Sequence, residues 1–136
     1  MKINNNLFNL EKGAYIVTGG LGFLGSAHCK AIAAFGGNPI AIDLSLQNYD
    51  CLKKEIKNEY GIELIAYKAD ITSKDSLIET SKLIENKFQI KGLVNNAARN
   101  PVVDSKGLQN LSRLENFSIE EWDLDIKVGL TGAFLC

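Results

Sequence analysis

An apolar run, Ala14-Tyr15-Ile16-Val17-Thr18, passes directly into Gly19-Gly20-Leu21-Gly22-Phe23-Leu24-Gly25, and no other feature restricts the fold of this chain as much. Glycines at this spacing let the backbone turn tightly off a strand and open a helix whose first N–H groups have no partner inside the helix. The positive end of that helix and the bare glycine backbone make a seat for a pyrophosphate. A glycine motif alone is equally compatible with an ordinary turn. Here a helical pattern follows it, and Asp43 ends the next apolar run at about the 20-residue separation at which a carboxylate meets an adenosine ribose.

The pattern predicts strands over 13–18, 39–43, 62–69 and 92–95. A helix over 23–35 would place Leu24, Ala27, Ala31 and Phe35 on one face, with Gly36-Gly37 ending it. A Lys- and Glu-rich helix should run to Tyr60 and stop at Gly61. A third should start at Thr72-Ser73-Lys74-Asp75, with Asp75 placed to cap in return, and reach about Phe88. A polar connection spans 99–117. Ser118-Ile119-Glu120-Glu121 then forms a capping box, and Ile119, Trp122, Ile126, Leu130 and Ala133 recur at helical spacing to the end. His28 and Trp122 read as structural side chains. Alternation of strand and helix makes the class α/β with a parallel sheet.

The 136 residues suffice for one domain or part of one. A net charge of −1 with 15 scattered basic residues provides no footprint for nucleic acid or an anionic membrane. Met1-Lys2-Ile3-Asn4-Asn5-Asn6 lacks an apolar signal core and no run approaches the roughly 18 apolar residues of a membrane helix, so a cytoplasmic protein is expected. Cys29, Cys51 and Cys136, without a C-x-x-C and with one histidine, suggest neither a disulfide framework nor a metal site.

Thr18-Gly19-Gly20-Leu21-Gly22-Phe23-Leu24-Gly25, Asp43, Asp70-Ile71, Asn95-Asn96-Ala97-Ala98 and Trp122 followed by Leu130-Thr131-Gly132-Ala133-Phe134 occur in the order and approximate spacing of the short-chain dehydrogenase/reductase family. The chain resembles that family over essentially its whole length. The resemblance implies a Rossmann-type doubly wound parallel sheet of about seven strands, of which four are supplied here. It implies Gly19, Leu21, Gly22, Phe23 and Leu24 as the pyrophosphate turn. Asp43 would accept hydrogen bonds from the adenosine ribose hydroxyls, a carboxylate that suits NAD and repels the extra phosphate of NADP, with no Lys or Arg at Leu21 or Leu44 to reverse the preference. Asp70 and Ile71 would meet the adenine edge, although Asp70, followed by Thr72 and Ser73, also reads as a simple helix start. Asn96, Ala97 and Ala98 would border the nicotinamide-side ribose.

Two positions depart from the family pattern. Phe23 stands where the shorter members carry glycine, so that Gly19, Gly22 and Gly25 fit the T-G-x-x-G-x-x-G form of the extended, sugar-nucleotide-modifying members, whereas Asn-Asn-Ala-Ala favours the shorter type. Gly129 stands where members usually carry a helix asparagine that holds a water in the proton relay. Either that function is lost, or Gly129 and Gly132 together let the helix approach a neighbour closely. The substitution is similar to that in a subset of oxidoreductases of bacterial nonulosonic-acid, flagellin-modification pathways.

The family's serine and Tyr-x-x-x-Lys pair follow the position of Cys136, so the resemblance implies a truncated cofactor-binding portion without catalytic residues of its own. Tyr49-Asp50-Cys51-Leu52-Lys53 has the Tyr-x-x-x-Lys spacing but sits on the adenosine side, and reads as a surface helix pair. For the complete protein the resemblance implies hydride transfer between nicotinamide and a secondary alcohol or ketone. The partner would be a small-molecule substrate, polar or sugar-derived, with Arg99, Asn100 and Arg113 hinting at a polar or anionic one, and the complete protein would be a homo-oligomer. A non-catalytic NAD-binding module, a ligand-free structural remnant and a fragment of an extended-type epimerase or dehydratase stay open.

Overall fold

The computed structural model describes residues 9–10, 13–99 and 114–136. Runs of β-branched and small apolar residues form four parallel strands, β1 Ala14–Thr18, β2 Asn38–Asp43, β3 Ile65–Lys68 and β4 Ile90–Val94, in the spatial order β3-β2-β1-β4. The chain works outward from β1 to β3 and then crosses back to lay β4 on the other side of β1. That reversal opens a crevice beyond the carboxyl ends of β1 and β4, the place where open α/β sheets take their ligands. The crossovers are α1 Phe23–Ala34, α2 Tyr49–Tyr60 and α3 Lys74–Glu85. α4 Ile119–Ile126 continues through a π-helical stretch, Lys127–Gly132, into a last turn, Ala133–Leu135.

Both faces of the sheet are covered, so consecutive strand residues enter opposite cores. Val17 and Ala41 pack with Cys29, Ile32, Leu52, Ile56 and Leu64 under α1 and α2, while Ile16, Ile40 and Ile42 pack with Ala69, Ile71 and Ile84 on the side of α3.

Several boundaries and faces differ from expectation. β3 starts at Ile65 rather than residue 62, because Leu64 turns fully into the core and its carbonyl accepts the Tyr49 hydroxyl. α3 begins at Lys74 with Ser73 as its cap and closes at Glu85, short of Phe88. The expected apolar face of α1 is wrong: Ala27 and Ala31 are exposed and Leu24 is 62 % exposed, while Gly25, Cys29, Ile32 and Ala33 are buried. The helix is apolar on most sides, so its periodicity carries little information, and the face that packs is the one whose small residues permit close contact. Trp122 is not a core residue, being about half exposed.

Among the described strands β4 pairs with β1 alone, which leaves one edge of β4 open. Leu93 on β4 and Trp122, Leu130 and Phe134 on the C-terminal helical segment expose large apolar surface, and Leu93 and Phe134 line one groove. Patches beyond a few hundred Å² recruit a partner or aggregate. The 136-residue polypeptide on its own is therefore expected to self-associate or to be poorly soluble. Light scattering that finds a compact monomer at tens of micromolar would contradict this.

Candidate functional site

The turn after β1 is built on close backbone contact. Gly19 has φ +62°, and its N–H donates to the Ile42 carbonyl at 2.7 Å, tying the turn to the end of β2. α1 then starts so near that a Cβ on Gly25 would lie 2.0 Å from the Gly19 carbonyl oxygen. Cys29, one turn further on, donates its Sγ–H to the Gly20 carbonyl at 3.6 Å, and burial pushes its thiol up to about 12, so it packs as a neutral group. Gly22 differs from Gly25. A Cβ there would meet only the Gly19 oxygen, at 3.3 Å, and would otherwise point into open space.

α1 also begins without a side-chain cap and without an acidic residue in its first turn. α3 and α4 are capped by the Ser73 and Ser118 hydroxyls, and α2 carries Asp50 in its first turn. Among the described helices of two turns or more, α1 alone leaves its N-terminal amides and dipole unanswered by the protein.

This helix end opens into a cleft of about 620 Å³, within the range of small-molecule sites. Gly19, Gly22, Phe23, Leu24, Asp43, Asp70, Ile71, Asn96, Ala97 and Ala98 line it, so the residues singled out from the sequence converge on one place. Leu21 does not. Its side chain is buried in the core under α1, and it contributes its backbone: the N–H donates to Asp43 Oδ2 at 3.0 Å and the carbonyl accepts from Asn48 Nδ2 at 3.3 Å. Asp43 Oδ1 accepts the Ser45 N–H at 3.2 Å. A carboxylate has about four acceptor positions, so two remain for hydroxyl donors in the cleft.

Asp70 serves the turn before α3. Its Oδ1 accepts both the N–H and the hydroxyl of Thr72, each at 2.8 Å, which engages Thr72 and passes the capping role to Ser73. These two bonds, with a smaller contribution from Lys127, hold the Asp70 carboxyl below the usual carboxylate range. Both readings of Asp70 are thus compatible: one oxygen builds the turn while the residue lines the cleft.

The loop after β4 is laced to the end of β1. The N–H groups of Asn96 and Ala97 both donate to the buried Thr18 hydroxyl at 3.1 Å, and Asn96 Nδ2 donates to the Thr18 and Gly19 carbonyls at 2.9 and 3.2 Å. Val128 and Arg99 also line the cleft, and of these Val128 was not legible as a lining residue. Val128 comes from the π-helical stretch, whose wider turn no hydrophobic period announces. Arg99, expected to face an anionic substrate, is instead paired with Glu121 and Asp125 on α4, while Asn100 and Arg113 lie outside the described residues.

Gly132 lets the C-terminal helix approach, since a Cβ there would lie 2.7 Å from Ile71 Cδ1. Gly129 has no such neighbour among the described residues, so close approach accounts for Gly132 alone. Tyr49 and Lys53 are engaged away from the cleft: the Tyr49 hydroxyl donates to the Leu64 carbonyl at 3.2 Å, and Lys53 Nζ is 2.8 Å from Glu63 while lying over the Tyr49 ring. No group of metal-ligating side chains occurs among the described residues, and none of their helices is long and apolar enough to cross a membrane.

The Asp70 turn has a testable pH signature. A carboxyl held below its ordinary range adds stability above that range and loses it as pH falls through the depressed midpoint. Thr72→Val removes the hydroxyl donor and keeps the N–H, so the Asp70 midpoint should move up toward the ordinary carboxylate range. Carboxyl ¹³C titration reads this directly, and an unchanged midpoint would contradict the assignment.

The sequence profile described as short chain dehydrogenase matches residues 14–136. An uncharacterized oxidoreductase of Bacillus subtilis, YuxG, is 32 % identical over 121 residues, covering 88 % of this chain and 16 % of that protein. Post-translational flagellin modification protein A of Campylobacter coli is 36 % identical over 89 residues, covering 65 % of this chain and 35 % of that protein. In fold, the chain is similar to an NAD⁺-bound xylitol dehydrogenase with a TM-score of 0.76 at 22 % identity, over 99 % of this chain and 46 % of that one. The chain thus spans about half the length, or less, of these relatives. Solved structures of this fold include NAD-bound and NADPH-dependent members, so the fold does not itself select the cofactor. With its profile match, its strand order and its glycine turn in register, the chain belongs to the short-chain dehydrogenase family of oxidoreductases.

Proposed function

We propose that the cleft binds NAD, and that the chain is the dinucleotide-binding portion of an oxidoreductase acting on a secondary alcohol or ketone. The observation that carries this reading is the uncapped start of α1 opening into the same cleft as the Asp43 carboxylate. The residues present fit the cofactor. The first amides of α1 and the bare face of Gly22 would receive the pyrophosphate, Asp43 the adenosine ribose, Asp70 and Ile71 the adenine edge, and Asn96 to Ala98 the nicotinamide-side ribose. The bound dinucleotide would supply or accept the hydride. This chain's own residues bind it, orient it and present one wall of the reaction space. A polar or sugar-derived substrate is favoured by the likeness to the sorbitol-6-phosphate 2-dehydrogenase of Escherichia coli, 30 % identical over 123 residues, and a homo-oligomer by the exposed apolar face of the C-terminal helix.

The preference for NAD rests on charge. Among the described residues no lysine or arginine lines the adenosine end of the cleft, where Asp43 stands, and like charges about 4 Å apart repel by about 4 kcal/mol at an effective dielectric constant near 20. Solvent screening lowers that figure, so NAD should bind at least about tenfold more tightly than NADP, equivalent to ~1.4 kcal/mol. Asp43→Asn is the informative variant, because it removes the charge and keeps an acceptor for the Leu21 N–H. Titration calorimetry should find the preference largely erased in Asp43→Asn, and equal affinities in the unaltered protein would refute the reading.

The two glycines separate folding from binding. Gly25→Ala forces a methyl against the Gly19 carbonyl and is expected to cost about 3 kcal/mol of stability. Gly22→Ala meets no such obstacle and should cost about 1 kcal/mol or less through the helix cap. It places its methyl on the surface offered to the pyrophosphate, where overpacking corresponds to roughly a tenfold loss of NAD affinity or more. Thermal midpoints and NAD titrations on both variants check the contrast, which fails if Gly22→Ala binds NAD normally.

A further inference from the structure

Besides the bond from Asn95 Nδ2 to the Ala133 carbonyl at 3.4 Å, two anchors hold the described part of the loop that follows β4. The first is the pair of bonds from the Asn96 and Ala97 amides to the Thr18 hydroxyl, reinforced by the Asn96 side chain. The second is Arg99, whose Nη1 donates to Glu121 Oε2 and, at 3.2 Å, to Asp125 Oδ1. Glu121 and Asp125 are one helical turn apart on α4, so the two carboxylates face Arg99 together. The Arg99, Glu121 and Asp125 side chains are 29 %, 33 % and 39 % exposed, less on average than the Lys30–Glu55 and Lys53–Glu63 pairs, whose side chains are 37–60 % exposed. Ala98, which lines the cleft, hangs between the anchors. The Glu121 carboxylate, which a reciprocal capping box would return to Ser118, is turned to Arg99 instead, while Ser118 alone accepts the Glu121 N–H.

We propose that Arg99 is a positioning residue: its clamp onto Glu121 and Asp125 fixes the Asn96–Arg99 wall of the cleft in the conformation that accepts the dinucleotide, rather than offering a cation to the ligand. One cation between two anions leaves the cluster with a formal charge of −1, so its guanidinium is already answered when a ligand arrives. The shift of Glu121 to below its ordinary range by Arg99 agrees with this pairing. Without the clamp the described wall is held at its β4 end alone, through Thr18 and the Asn95 bond to the Ala133 carbonyl, and the ligand must select the ordered conformation from a mixed population. Apparent affinity then falls by the fraction of molecules still competent.

The proposal rests on the reading of the cleft as an NAD site, and its test separates the two. NAD dissociation constants and thermal midpoints are measured by calorimetry on protein expressed from the complete gene, for the unaltered form, Arg99→Ala, Glu121→Gln with Asp125→Asn, and all three changes together. If the competent population falls to about a tenth, Arg99→Ala weakens NAD binding roughly tenfold. The carboxylate-neutral variant should weaken it to a similar degree, and combining the changes should add nothing further. Had Arg99 reached the ligand directly, freeing it from its two carboxylates would strengthen binding, and that outcome overturns the proposal. So does an Arg99→Ala protein whose thermal midpoint drops while its NAD affinity stays unchanged. Should Arg99→Ala not fold, the shape-preserving carboxylate-neutral variant decides by the same criterion. An unaltered protein that binds neither dinucleotide overturns the reading of the cleft and the proposal with it, whereas normal binding unaffected by the clamp overturns the proposal alone.

Discussion

The contact between the bare backbone of Gly25 and the carbonyl of Gly19 is the constraint on which the site depends. It lets α1 start within van der Waals distance of the turn it leaves, so the positive end of the helix is delivered to the carboxyl edge of the sheet. The small residues Gly20 and Cys29 extend the same close packing along the helix, and the sheet and helix then share one core. A side chain at position 25 would tilt the helix away and carry its amides out of the cleft.

Polar groups around the cleft hold the scaffold with only part of their bonding capacity. Asp43 fastens the glycine turn through Leu21 and its own loop through Ser45, and Asp70 fastens the approach to α3 through Thr72. Such carboxylates are positioned before any ligand arrives, so little order has to be created on binding. Thr18 is the extreme case. One buried hydroxyl accepts two amides of the β4 loop while donating to the Val94 carbonyl at 3.4 Å, and so joins the two strands between which the crevice opens.

What could be read from the sequence was what depends on local chemistry. The glycine turn, Asp43 at a strand end and Asn96 after β4 each carry a signal within a few residues, and ten of the eleven residues singled out line the cleft. Failures came where tertiary packing decides. Leu21 is apolar and lies between two glycines, so nothing local showed that its side chain turns to the core and leaves its amide to Asp43. The apolar face of α1 was misjudged because the helix is apolar on most sides, so that Gly25, Cys29, Ile32 and Ala33, the residues that pack, do not stand out as a stripe. Arg99 looked like a free cation because its two carboxylates are more than 20 residues away in the chain.

The lacing of the β4 loop to Thr18 has a kinetic side. The residues that pair β1 with β2 are 24 apart, Ala14 with Asn38, whereas the first pair between β1 and β4, Ala14 with Ile90, spans 76. Closing the longer loop costs about 1 kcal/mol more in chain entropy if both are taken as unstructured, and long-range parallel pairing is slow to form. The half-sheet β1-β2-β3 can therefore assemble while β4 is still being synthesised. The crevice exists only once β4 docks, so one wall is complete early and the other arrives with β4. The cleft is then a late acquisition in the life of each molecule, coupled to the longest-range pairing among the described strands.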